Sequence, residues 1–181
     1  GEVDYVLSTI QPSDDLYHTD AVEGIQRFFE ENPEYQAVGF EKGYICNYLT
    51  KEVAEYSPLT NPPFYTIKFP REVFIDPLRH VQYTALKEDV GKYKKGTVIP
   101  SHEYVGNALH YATASERGFC VGTHGENIST YYNHPYKGEQ YDEIKGTLIL
   151  ADFGIQHVSP LKLPFSFRKW ILRKLPHSIR R

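Results

Sequence analysis

Two adjacent carboxylates, Asp14 and Asp15, carry the clearest chemical signal in the sequence. They follow an apolar run, Tyr5 to Ile10, that reads as a buried strand ending at Pro12-Ser13. Paired carboxylates past the C-terminal end of a strand supply hard oxygen ligands at the sheet end where α/β proteins gather their ligands. Magnesium or manganese held there usually carries a phosphate-bearing substrate. Asp and Ser also suit a turn and a helix N-cap for backbone reasons alone.

A second cluster lies late in the chain, in Gly118-Phe-Cys-Val-Gly-Thr-His-Gly-Glu-Asn-Ile-Ser129. Its His124 is a residue type that serves as metal ligand or proton carrier. Gly125 lets the backbone approach a ligand closely, and Asn127 can hydrogen-bond a substrate or shape the loop. The competing reading has His124 and Asn127 satisfying their own loop. A third stretch, Ser101-His-Glu-Tyr104, offers Glu103 and His102. Glu103 is also what the first turn of a helix favours through its dipole.

Taken together these segments resemble the GT-A glycosyltransferases. An apolar strand runs into an x-Asp-Asp motif, then a polar aromatic turn ending in Asp20, then a helix broken at Asn32-Pro-Glu34, then a strand opening Ala37-Val-Gly-Phe40. The late element looks like the His-Gly-x-Asn-(Ile/Val)-Ser segment of such enzymes, most of all of the rhamnosyltransferase branch. The two motifs bracket Asp4 to Tyr132.

The resemblance implies an α/β fold, a GT-A-like mixed sheet flanked by helices. It implies a hexosyl or deoxyhexosyl transfer, with inversion, from a nucleotide-sugar donor to a glycan or lipid-linked acceptor, assisted by Mn2+ or Mg2+. Asp15 is then the first choice of metal ligand, because the last carboxylate of the motif faces the diphosphate. Asp14 is the second. His124 is a third ligand or a phosphate donor, with Tyr17, Gly125 and Asn127 on the substrate side. Glu103 takes the place of the general base that deprotonates the acceptor hydroxyl, with His102 as alternate. Pro12 stands where the family's longer pattern has a further Asp, and the usual Glu-Asp pair at the base is absent; both departures weaken the match.

The family also implies a nucleotide-binding half of roughly 100 residues ahead of the metal motif, an ordinary domain size. Residues 1–160 are therefore expected to be a partial catalytic domain carrying the metal motif and the acceptor side, without that first half.

Other chemistries compete. Leu16-Tyr-His-Thr19 with Tyr65-Thr-Ile-Lys-Phe69 faintly resembles diphtheria-type ADP-ribosyltransferases, which would need Tyr17 and His18 on a strand beneath NAD. A cysteine hydrolase built on Cys120 and His134 needs a depressed thiol pKa that nothing nearby in sequence supplies. A non-enzymatic carbohydrate-binding or membrane-docking module would use tyrosine-rich loops. The 15 tyrosines fit stacking on sugar rings and ordinary half-buried surfaces equally.

The elements that must position these residues follow from periodicity. With 181 residues and 40% hydrophobic content the chain can build one domain with a real core. Two cysteines make no disulfide framework and no metal spacing. A strand is expected at Tyr5–Ile10, then a helix from Thr19 or Asp20 to Glu31 with Val22, Ile25, Phe28 and Phe29 on one face. Strands are expected at residues 37–40, 43–49 and 64–69, with short ones at 97–99, 120–122 and 147–150. Ser101 is expected to cap a helix over residues 104–115. Residues 72–84 fit either state, and 87–96 read as a loop.

Charge is uneven along the chain. Residues 162–181 hold seven bases and no acid, out of 20 Lys and Arg in all, which leaves thirteen bases against all 23 acids elsewhere. Residues 161–181 alternate leucines and aromatics with bases, a basic amphipathic tail suited to an anionic membrane surface or to packing on the domain. Nucleic-acid binding is disfavoured, because the acidic remainder would repel phosphates. No run approaches the roughly 18 apolar residues of a span. The expected location is cytoplasmic, peripheral on the inner membrane face.

Overall fold

The computed structural model describes residues 3–48, 50–124, 132–133 and 136–155. They form a mixed α/β structure, a curled mixed sheet with helices around it. Residues 161–181, and with them the membrane reading of the tail, lie outside the described residues.

The long strand β3 (Ala37–Asn47) organises the sheet. The other long strand, β6 (Tyr111–Thr123), runs parallel to it along its whole length, from Ala37↔Tyr111 to Asn47↔Thr123, with register shifts around Lys42. The opposite edge of β3 is shared in succession. Residues 37–39 pair antiparallel with β5 (Tyr65–Pro70), and residues 43–46 pair antiparallel with β4 (Val53–Tyr56). Two wings result. β1 (Tyr5–Thr9) extends the first beyond β5, and β7 (Lys137–Tyr141) extends the second beyond β4. The two-residue strand β2 (Leu16–Tyr17) pairs antiparallel with β6.

Helix α1 (Ala21–Glu31) covers one face because Ala21, Ile25 and Phe29 recur every four residues and are buried. Val22, expected on that face, is 68% exposed: one step along a helix turns a side chain about 100° away from its neighbour. The Asn32 side chain donates to the Phe28 carbonyl at 2.9 Å and closes the last turn, and Pro33 follows. Under the helix the Phe64 and Phe119 rings stack 4.2 Å apart, both fully buried. Burying rings of this size is worth about 1.5–3 kcal/mol each.

Three sequence expectations change. Residues 97–99 hold only an isolated bridge from Val98 to Ala85 rather than a strand. Residues 104–115 are not a helix. A 3-10 turn, His102–Tyr104, leads into a single α-helical stretch, α4 (Val105–Ala108), and β6 begins at Tyr111. The long parallel ladder with β3 outweighs local helical preference. Residues 147–150 are not a strand but the end of α5 (Glu143–Asp152), which Asp142 caps by accepting from the Lys145 N–H at 2.8 Å. Its Gly146 sits against Val53 of β4. The ambiguous stretch forms α2 (Arg71–Phe74) and α3 (Pro77–Tyr83). No helix among the described residues is long and apolar enough to cross a membrane.

Candidate functional site

The pairing of β2 with β6 sets Leu16 opposite Cys120 and Tyr17 opposite Phe119. Continuing that antiparallel register back along the chain brings Asp15 and Asp14 beside Val121 and Gly122, two residues before His124. The turn at Asp14–Asp15 therefore meets the end of β6 by strand register.

Side-chain contacts hold the junction. The Gly122 N–H donates to Asp15 Oδ1 at 3.0 Å. The Tyr48 hydroxyl, one residue past β3, donates to the Asp14 carbonyl at 3.0 Å. Asp14 Oδ2 lies 3.7 Å from His124 Nε2, both side chains a little over a third exposed. Thr123 Oγ1 donates to the Cys46 carbonyl at 2.9 Å and ties β6 to β3 beneath the site. Gly122 is required by close approach: a Cβ there would overlap the Asp14 carbonyl oxygen and the Tyr48 ring.

The two carboxylates differ. Asp15 is 9% exposed. Burial is the main influence on its carboxyl; the Gly122 N–H opposes it and the Asp14 charge adds to it, and the group is pushed up to about 6. Around it burial raises the Tyr48 and Tyr56 hydroxyls, with the Asp15 charge contributing, so they remain protonated. Asp14 is the more exposed carboxylate and the one that faces His124. The order of ligands expected from sequence, Asp15 before Asp14, is thus not the order of accessibility.

A divalent cation suits this donor set. A carboxylate and an imidazole are ligands that manganese takes, and magnesium takes the carboxylate. Ligand bonds of about 2.1 Å put neighbouring ligand atoms about 3 Å apart, close to the Asp14–His124 separation. No group of three or more His, Cys, Asp or Glu side chains is preassembled among the described residues. Asp14 and His124 are the pair that could hold a cation, with water completing its shell.

Tyr17 is used inside the fold. Its hydroxyl donates to the Ile10 carbonyl at 2.6 Å, and its ring meets Phe40 and Phe64 edge-on. This positions the Asp14–Asp15 turn between its two ends. Glu103 is exposed on the 3-10 turn, and His102 Nδ1 is bonded to the Asn61 carbonyl. Asn61 lies in the loop before β5, and the start of β5 meets the end of β1, where the Ile10 N–H donates to the Tyr65 carbonyl at 3.1 Å. Among the described residues no hydrogen bond or ion pair joins Glu103 to Asp14, Asp15 or His124. Gly125, Asn127 and His134 lie outside the described residues. Cys120 is fully buried beside Cys46, and a hydrogen bond with Cys46 together with burial pushes its thiol well up, opposite to what a nucleophile needs.

Sequence reasoning missed Tyr48 and the packing role of Gly122. A tyrosine directly after a long apolar strand was the available signal for the first. Comparison of the chain with protein-family models, with curated proteins and with solved structures gives no match.

Proposed function

We propose that this chain is a glycosyltransferase of the GT-A type that moves a sugar from a nucleotide-sugar donor to a glycan or lipid-linked acceptor with Mn2+ or Mg2+. The observation that carries the reading is the Asp14–His124 contact at 3.7 Å, beside the buried Asp15. The two segments whose residues resemble elements around one diphosphate meet at one point of the fold.

The chemistry assigned to each group is simple. The acceptor oxygen forms a bond to the anomeric carbon as the bond from that carbon to the diphosphate oxygen breaks. The electron pair leaves with the nucleoside diphosphate. A bound cation supplies Lewis-acid stabilisation of that leaving charge. Asp14 and His124 hold the diphosphate end, and Asp15 anchors their turn to β6. Glu103 takes the proton of the acceptor hydroxyl.

The test is donor hydrolysis and transfer with UDP-, GDP- and dTDP-sugars, with Mn2+ or Mg2+ and then with chelator, alongside direct Mn2+ titration by electron paramagnetic resonance. Metal-dependent cleavage of one donor, lost in Asp14→Asn and His124→Ala, supports the reading. Absence of both Mn2+ binding and donor cleavage overturns it.

A further inference from the structure

A groove of about 750 Å3 lies between α1 and β6. None of Asp14, Asp15 and His124 lines it, so it is apart from the carboxylate–histidine site. Its volume is that of a pocket for a small organic molecule, about 300–1,000 Å3. The floor is aromatic: Phe28 of α1, Phe40 and Tyr44 of β3, and Phe153 just past α5. Asp20, Glu31, Glu116 and Asp152 stand around it.

Both walls depart from regular structure here. Between the pairs Phe40↔Ala114 and Tyr44↔Cys120 the ladder advances four residues on β3 and six on β6, so β6 carries two extra residues. Such bulges re-aim side chains and occur often beside functional sites. All of residues 113–118 border the groove at this bulged stretch. Across from them Gly24 stands within α1, although glycine is the poorest helix former after proline. Packing does not require it: a Cβ there would meet no atom of the described residues within 4 Å. Gly24 borders the groove, and its missing side chain keeps the groove open.

The charges around the groove favour one sign. Arg117 pairs with Glu55 at 2.6 Å, and its guanidinium lies over the Tyr44 ring, 5.5 Å from the centroid. His18 Nδ1 accepts from the Asp20 N–H at 3.1 Å, which suits the neutral imidazole. Arg27 is then left against the four carboxylates of the rim. Negative potential over a low-dielectric floor repels anions and concentrates cations. Aromatic faces add their own attraction for a cation, and Arg117 on Tyr44 shows that attraction in use.

We propose that this groove binds a small organic cation, an amine or quaternary ammonium joined to an apolar ring or chain. The apolar body lies on the aromatic floor and the charge is turned to the carboxylates. This inference does not depend on the glycosyltransferase reading.

The test uses the full chain and three probes of nearly one shape: tryptamine, a cation; tryptophol, its neutral counterpart; and indoleacetate, an anion. Isothermal titration at neutral pH should show tryptamine bound at least about tenfold more tightly than tryptophol, with indoleacetate weakest. Two variants locate the site. Gly24→Leu puts a side chain into the groove while improving the helix, and should weaken tryptamine at least about tenfold without lowering the urea midpoint. Asp152→Asn/Glu116→Gln should bring tryptamine down toward tryptophol and leave tryptophol unchanged, a selective loss that general damage to the fold would not produce. If Gly24→Leu proves unstable, this second variant decides. Four results overturn the proposal: no probe binds; tryptamine binds no more tightly than tryptophol; Asp152→Asn/Glu116→Gln leaves the preference for tryptamine intact; or a stable Gly24→Leu binds as the unaltered chain does. Sedimentation of the same samples covers the remaining occupant. A dimer that Gly24→Leu dissociates and tryptamine does not would assign the groove to a second copy of the chain and overturn the proposal as well.

Discussion

The backbone N–H of Gly122 donates to Asp15 Oδ1 at 3.0 Å across 107 positions of sequence. This bond orients the turn that carries Asp14 and places it beside His124. Adding a methyl group at Gly122 would drive it into the Asp14 carbonyl and the Tyr48 ring. Gly122→Ala should therefore cost about 1–3 kcal/mol, the usual penalty for overpacking, and weaken Mn2+ binding together with stability. Urea denaturation and metal titration on the same sample check this. A variant of unchanged stability and affinity would contradict the packing described for the site.

Asp15 makes a pH prediction. Its carboxyl titrates near 6 in the folded protein and at its ordinary 3.8 when unfolded. Between these values the folded state binds more protons than the unfolded one. Stability from this group therefore falls as pH rises from about 4 to 6 and levels off above that. Asp15→Asn keeps an acceptor for the Gly122 N–H and removes the buried charge. At pH 7.5 it should be the more stable protein, by about 3 kcal/mol given about 1.4 kcal/mol for each pKa unit. By pH 4.5 that advantage should have largely gone. Urea midpoints of the two proteins at both pH values measure it, and a pH-independent difference would count against the shift.

Asp14 and His124 should behave as one binding unit. If both hold the same cation, Asp14→Asn and His124→Ala each lower Mn2+ affinity about tenfold or more, and the double variant is less affected than the product of the two. Isothermal titration of the four proteins completes the cycle. Purely multiplicative losses would show that the two side chains act at separate places.

Phe119 links the core to the site, since β2 pairs with β6 at this residue and its ring stacks on Phe64. Phe119→Ala should destabilise the fold by about 3–5 kcal/mol, the range for truncating a buried ring. Phe119→Leu should cost less because more of the volume is kept. Chemical denaturation of both variants tests the order, and the reverse order would mean that the stack contributes little.

Local periodicity alone was enough for several elements. The apolar run at Tyr5 is a strand, the spacing of Ile25 and Phe29 is a helix ending at Glu31, and the alternation around Tyr65 to Phe69 is a strand. Each is a pattern that one segment's own side chains set against a single apolar face. The same reasoning failed at residues 104–115 and 147–150, where the deciding contacts are with β3 and β4, far away in sequence.

For the candidate site, the sequence by itself supplied the residue types: two carboxylates after a strand and a histidine in a glycine-containing segment. Only the tertiary structure decided that β2 pairs with β6, and so brought Asp14 to His124. It alone decided that Asp15 is buried while Asp14 faces outward, and that Tyr17 is a clamp on Ile10. Register and burial are properties of how distant segments meet, and a side chain's accessibility and ionisation follow from that meeting rather than from its neighbours in sequence.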